Sequence, residues 1–208
     1  MEDVLDVYQR PYDPRRPMLC LDEMPFQLVG ETREALPARP GEPKKVDYEY
    51  RRNGGVEIFM IFEPLRARRY VRVTDRRTRR DWAECLRDLA DRLYPEAEKV
   101  VLVLDNLNTH TMGSLYEAFA PAEARRLAQR FEIHYTPKHG SWLNMAEIEL
   151  GVLSRQCLSR YIPTKDEVVA EASAWEAKRN EARATVDWQF TTPDARTKLK
   201  RLYPTINL

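Results

Sequence analysis

Val100-Val101-Leu102-Val103-Leu104-Asp105 is the stretch from which the fold of this chain is read. Five apolar residues with no polar interruption predict a strand covered on both faces, as in the parallel sheet of an α/β domain. Asp105 ends the run. Upstream, Met18-Leu19-Cys20-Leu21 is a second apolar run that also ends in an acid, Asp22, and downstream Glu147 falls on an amphipathic helix after Pro137. A single Asp behind a strand is more often an ordinary solvated residue. Strand-Asp, strand-Asp, helix-Glu in that order is a metal-site pattern, because magnesium takes oxygen ligands and keeps waters that substrate phosphates displace. Two such ions about 3.5–4 Å apart clamp the attacking and leaving oxygens of a phosphodiester displacement.

Outward from this centre the chain reads as strands, then alternating helix and strand, then helices. Residues 18–21, 56–62 and 70–73 predict a three-stranded meander with a turn near Pro64, and 26–29 extend the first strand or form a bent second piece. Between them, residues 30–54 are rich in Pro, Gly and charge and predict a long surface loop. Thr78 and Asp81 mark a helix start, followed by Trp82, Leu86, Leu89 and Leu93 at helical spacing and a stop at Tyr94-Pro95. Short helices at 114–119 and 121–131 precede a strand at 132–135. Ser141 is the expected cap of a helix running to about Tyr161, with Leu143, Ala146, Leu150, Leu153 and Cys157 as its apolar stripe. Thr164 with Glu167, and Thr192-Pro193, open two further helices. Pro11, Pro14 and Pro17 make residues 1–17 an expected extended linker and not a helix. The succession predicts an α/β fold, a mixed sheet flanked by helices.

Composition narrows the class. At 208 residues, 43% hydrophobic and 32% charged, the chain suits one folded domain with a sizeable core. It has no apolar stretch near the roughly 18 residues of a membrane span and no basic signal-peptide start, so a cytoplasmic protein without membrane partners is expected. Cys20, Cys85 and Cys157 are widely spaced and read as small core residues, outside any disulfide or zinc framework. Net charge is only +1, yet Arg66, Arg68, Arg69, Arg72, Arg76, Arg77, Arg79 and Arg80 face a single acid, Asp75, over fifteen positions. Such a run neutralises phosphates whatever the base sequence; the plainer alternative is a solvated strand edge protected from aggregation by charge.

Asp105-Asn106-Leu107-Asn108-Thr109-His110, together with Tyr135-Thr136-Pro137-Lys138-His139-Gly140-Ser141-Trp142-Leu143-Asn144-Met145-Ala146-Glu147, resembles the DDE transposases of bacterial insertion sequences, on the mariner-like branch. Leu143-Asn144-Met145-Ala146-Glu147 follows that family's Leu-Asn-x-x-Glu pattern, with Met145-Ala146 where Pro-Ile is common. The resemblance runs from about Pro11 to Pro204. It implies a ribonuclease H-like fold, a core at 18–162, and a C-terminal helical extension at 163–208 packed on it. It further implies Asp22, Asp105 and Glu147 as catalytic metal ligands for two Mg2+ or Mn2+ ions, DNA cleavage and strand transfer, and DNA as partner, at element ends and at the target. A homodimer is implied as well, and a helix-turn-helix module encoded separately, since nothing before Met18 is long enough to fold as one.

Around the acids, Arg76, Arg77, Arg79, Arg80, Lys138, His110, His139 and Trp142 are the expected DNA contacts. For the histidines the plain alternative is a structural imidazole, and for Trp142 simple packing at a helix start. Periodicity leaves Glu147 and Glu149 tied as third acid, each about 80° from the apolar stripe on opposite flanks; the family pattern selects Glu147. Rival readings are a related nuclease such as a junction resolvase, and a non-catalytic DNA-binding remnant. A haloacid-dehalogenase-type phosphatase ranks lower, because Leu107 stands where its second Asp belongs.

Overall fold

The computed structural model describes residues 1–33, 39–42 and 49–203. Helix α1 (Glu2–Tyr8) leads into β1 (Met18–Glu31), β2 (Tyr50–Glu63) and β3 (Arg68–Thr74). Then follow α2 (Arg79–Asp88), β4 (Val100–Leu104), α3 (Gly113–Ala118), α4 (Pro121–Ala128), β5 (Phe131–Tyr135), α5 (Met145–Leu153), α6 (Lys165–Glu181) and α7 (Thr192–Lys198). The five strands form one sheet in the order β3-β2-β1-β4-β5. β1 to β3 are an antiparallel meander, while β1, β4 and β5 run parallel. This is the mixed sheet expected, with β1 at its centre.

Strand alternation divides the core into two layers. Cys20, Ile58, Met60, Phe62, Val101 and Val103 face α1, α5, α6 and α7. Leu19, Leu21, Phe59, Ile61, Val100, Leu102 and Leu104 face α2, α3 and α4. All five β4 side chains are buried, so its unbroken apolar run reflects helices on both faces. Fully burying a residue of this size stabilises by roughly 1.5–3 kcal/mol.

The sheet edge at β3 is closed by α6. Asn180 accepts from the Arg69 amide and donates to the Arg69 carbonyl, each at 2.9 Å, and Glu176 accepts from the Val71 amide at 2.8 Å. Those contacts occupy backbone groups that would otherwise pair with another chain. Thr78 and Asp81 form the expected capping box of α2, which passes into a π-helical turn at Leu89–Leu93 before Tyr94.

Several expectations change. Residues 1–17 are not uniformly extended: Glu2–Tyr8 is helical, and Val4, Leu5, Val7 and Tyr8 are buried, because the prolines begin only after this apolar segment. Arg196 of α7 pairs with Glu2 at 2.7 Å, which ties α1 to the C-terminal helices. β1 does not stop at Leu21; it runs to Glu31 with an irregularity between Gln27 and Val29. The loop expected at 30–54 gives residues 50–54 to β2, and its stretches 34–38 and 43–48 lie outside the described residues. Ser141 opens a short 3-10 turn, not the helix: Asn144 caps α5, accepting from the Ala146 amide at 3.1 Å, and the last turn from Ser154 to Leu158 is π-helical. Thr191, not Thr192, caps α7, with Asp194 completing the box. Among the described residues no helix is long and apolar enough to cross a membrane.

Candidate active site

β1 and β4 pair in parallel with Cys20 opposite Val103. Two residues further along each strand, Asp22 and Asp105 come level at the C-terminal end of β4. Asp22 shares the face of Met18 and Cys20, the face that α5 covers. Its Oδ1 accepts from the Glu23 amide at 2.9 Å. Burial raises the Asp22 carboxyl to about 7, despite that hydrogen bond, and the charges of Asp105, Glu23 and Glu147 push it the same way. Asp105 behaves oppositely. Hydrogen bonding to His110 holds it below the ordinary carboxylate range against burial, and the Leu107 amide and the charge of Arg77 act in the same direction. Neighbouring acids driven apart in this way are typical of functional sites.

The third acid depends on how α5 is pinned. Asn144 donates from Nδ2 to the Leu21 carbonyl at 2.8 Å while capping α5, so one buried side chain ties the helix start to the backbone just before Asp22. Tyr8 donates to the Leu143 carbonyl at 2.6 Å from the other side. Glu147 stands exposed in the first turn of α5, within electrostatic reach of Asp22. Glu149 is only 1% exposed and is held by Arg179 at 2.8 and 3.1 Å, with Arg69 Nε at 3.0 Å. The buried, doubly paired Glu149 is engaged in packing, whereas Glu147 is exposed and its charge acts on Asp22.

His110 is buried and does not offer a DNA contact. Its Nδ1 lies 2.6 Å from Asp105 Oδ1 and its Nε2 2.9 Å from Glu23 Oε1, while the ring stacks on Trp82. Burial opposes charge on the ring, but the hydrogen bonds to Asp105 and Glu23 outweigh it and lift the pKa to about 9. Glu23 and Asn144 are thus site residues that spacing alone does not single out. Glu23 lies next to Asp22 and its side chain carries an acid to the opposite face of β1, the only signal it gives in the sequence.

Lys138 and His139 are exposed, and with Asp105, Asn106, Thr136 and Ser141 they line a cleft of about 380 Å³. His139 has φ +63, and a Cβ on the following Gly140 would meet Pro137 Cγ at 2.6 Å, so this tight turn needs glycine. Trp142 is 44% exposed and touches Phe190 edge-on. Arg76, Arg77, Arg79 and Arg80 are all exposed at the entry to α2. Arg79 pairs with Glu117, and Arg77 is 3.8 Å from Glu57. Arg76 and Arg80 have no carboxylate partner among the described residues. Arg69, inside the same sequence run, is fully buried and belongs to the Glu149 ion pair, so the arginine run is not one surface.

Among the described residues no three acid, histidine or cysteine groups stand together as a finished metal cage. What suits a divalent ion is the charge: Asp22 is surrounded by three carboxylates and relieved by one backbone amide. A cation there inverts the penalty that burial and like charge impose.

Residues 17–169 match the family of DDE superfamily endonucleases, and the chain belongs to it. The fold is that of solved Mos1 mariner transposase structures. A Mos1 mariner paired-end complex with Mn superposes with a TM-score of 0.59 at 17% identity, over 86% of this chain and 54% of that one. A Mos1 strand transfer complex gives 0.55 at 14% identity, over 86% and 56%. The chain thus spans about half the length of these structures. No curated protein matches it.

Proposed function

We propose that this chain is the catalytic portion of a cytoplasmic DNA transposase that cuts element ends and joins them to target DNA. Asp22, Asp105 and Glu147 are its metal ligands. The observation that carries this reading is the level placement of Asp22 and Asp105 at adjacent positions beyond the β1–β4 pairing, with the Asp22 carboxyl raised to about 7 by burial and by the charges of Asp105, Glu23 and Glu147. The structures with the same fold are complexes of Mos1 described as paired-end, with Mn, and strand transfer, and they support DNA as substrate and a divalent ion as cofactor. Two ions, Mg2+ or Mn2+, match the three-acid set, and a homodimer would bring two DNA ends together, with a helix-turn-helix module as the partner that reads their sequence.

When bound, divalent ions activate water or a DNA 3′-hydroxyl and stabilise the leaving oxygen. The chain's own contribution is placement. Asp22 and Asp105 offer one oxygen each beyond those their backbone amides engage, and Asn144 fixes the start of the helix that carries Glu147. Lys138 and His139 on the cleft lip, Trp142 beyond it, and Arg76 and Arg80 at the α2 entry would hold the phosphodiester backbone. Cleavage of labelled element-end DNA in MnCl2 by the wild type, lost in Asp22→Asn and in Asp105→Asn with the fold intact, is the expected result. Cleavage retained in either variant contradicts the assignment.

A further inference from the structure

Asp22 and Glu23 are consecutive on β1, so alternation sends them to opposite faces of the sheet. Asp22 looks toward α5; Glu23 points beneath, among the side chains of α2, and is 3% exposed. Its Oε1 meets His110 Nε2, and among the described residues no hydrogen bond reaches its Oε2. A carboxylate so buried costs stability unless it is paired, and its one pairing is with an imidazole whose other nitrogen holds Asp105.

We propose that Glu23 and His110 are positioning residues that fix Asp105 for the reaction, a role that rests on the function proposed above. The imidazole has carboxylate oxygens on both sides, so both nitrogens donate. It is clamped on every flank. Trp82 stacks on it at 5.7 Å with 25° between planes, and Tyr135 donates to the His110 carbonyl at 2.7 Å. Both side-chain hydrogen bonds to Asp105 fall on the same oxygen: His110 Nδ1 and the Leu107 amide each meet Oδ1. Among the described residues no hydrogen bond reaches Oδ2, so that oxygen is available to a ligand. Glu23, His110 and Asp105 therefore link β1 to the end of β4 at the level of the site, and losing either partner frees Asp105 to rotate. Groups that orient a metal-binding side chain typically matter by 10- to 100-fold in affinity or rate.

The test compares Glu23→Leu, Glu23→Gln and His110→Leu with the wild-type chain, using Mn2+ binding followed by electron paramagnetic resonance without DNA, cleavage kinetics, and melting temperature. Glu23→Gln keeps an oxygen that accepts from His110 Nε2. The expected result is Mn2+ affinity lowered about 10- to 100-fold in Glu23→Leu and His110→Leu. Their kcat should fall by about as much, with KM for DNA within about twofold, because phosphate contacts are untouched. Glu23→Gln should recover most of both losses. Should His110→Leu fail to fold, the Glu23→Gln and Glu23→Leu pair decides. Wild-type Mn2+ affinity in folded Glu23→Leu, or Gln as damaging as Leu, overturns the assignment. A wild type that cuts DNA while both Leu variants match it removes the positioning role alone; a wild type that neither binds Mn2+ nor cuts DNA removes it together with the proposed function.

Discussion

Two acid clusters lie on the same side of the sheet and are treated oppositely. Glu149 is enclosed with Arg69 and Arg179, a carboxylate whose charge is matched twice over. Asp22 is half-buried without a cationic partner, and burial together with the charges of Asp105, Glu23 and Glu147 raises its carboxyl to about 7. Packing can afford a buried acid only when cations accompany it. An acid left unmatched is held there by the rest of the fold, and such strain concentrates where chemistry is done. The contrast separates two glutamates on one helix that periodicity alone leaves tied.

Exchanging the two glutamates is the sharpest way to break the comparison. Glu147→Gln should lower DNA cleavage by about 10²- to 10³-fold, a loss of the size seen when one group that stabilises the reacting charge is removed, here by weakening the hold on the metal. Glu149→Gln should keep substantial activity at temperatures where it is folded. The reverse order in a single-turnover assay would make Glu149 the ligand.

Stability should sort the clusters the other way. Glu149→Gln leaves Arg69 buried without a counter-charge and should cost about 3–5 kcal/mol in urea unfolding. Asp22→Asn should cost nothing at neutral pH without metal, and there it should stabilise. The folded carboxyl is raised to about 7 from an ordinary value near 4. Between these values the native state binds more protons than the unfolded one, so stability falls as pH rises and the loss is complete above about 7. In EDTA, wild type should therefore lose about 4 kcal/mol relative to Asp22→Asn between pH 4 and 8. Parallel pH profiles for the two proteins would contradict the raised carboxyl.

A smaller effect is expected from the exposed arginines. Replacing Arg76, Arg77, Arg79 and Arg80 with Ala should weaken DNA binding evenly across sequences and flatten the plot of log affinity against log salt. An unchanged slope would assign these residues to solubility.

The parts of the fold legible in the sequence are those made by near neighbours. The apolar run at Val100–Leu104 needs only its own residues to be read as a doubly covered strand, and Thr78 with Asp81 carries its own capping box. β1 was harder to bound, because the charges of Asp22 and Glu23 look like a strand end. Pairing of Asp22 with Met60 and of Met24 with Ile58 carries the strand past them. The prolines of residues 11–17 masked a short buried helix ahead of them. For the proposed site, order and motif single out three acids, whereas the partners of Glu149 and the link from Glu23 to His110 join residues far apart in the chain. Nothing local in the sequence encodes those contacts.

The most direct measurement is the melting temperature in MnCl2 of the wild type and of the Asp22→Asn, Asp105→Asn double variant. A ion that binds only the native state stabilises it by mass action. The wild type should melt higher at saturating Mn2+, and the double variant should not respond. An equal rise in both would mean that Mn2+ binds elsewhere, and Asp22 and Asp105 would then not be its site.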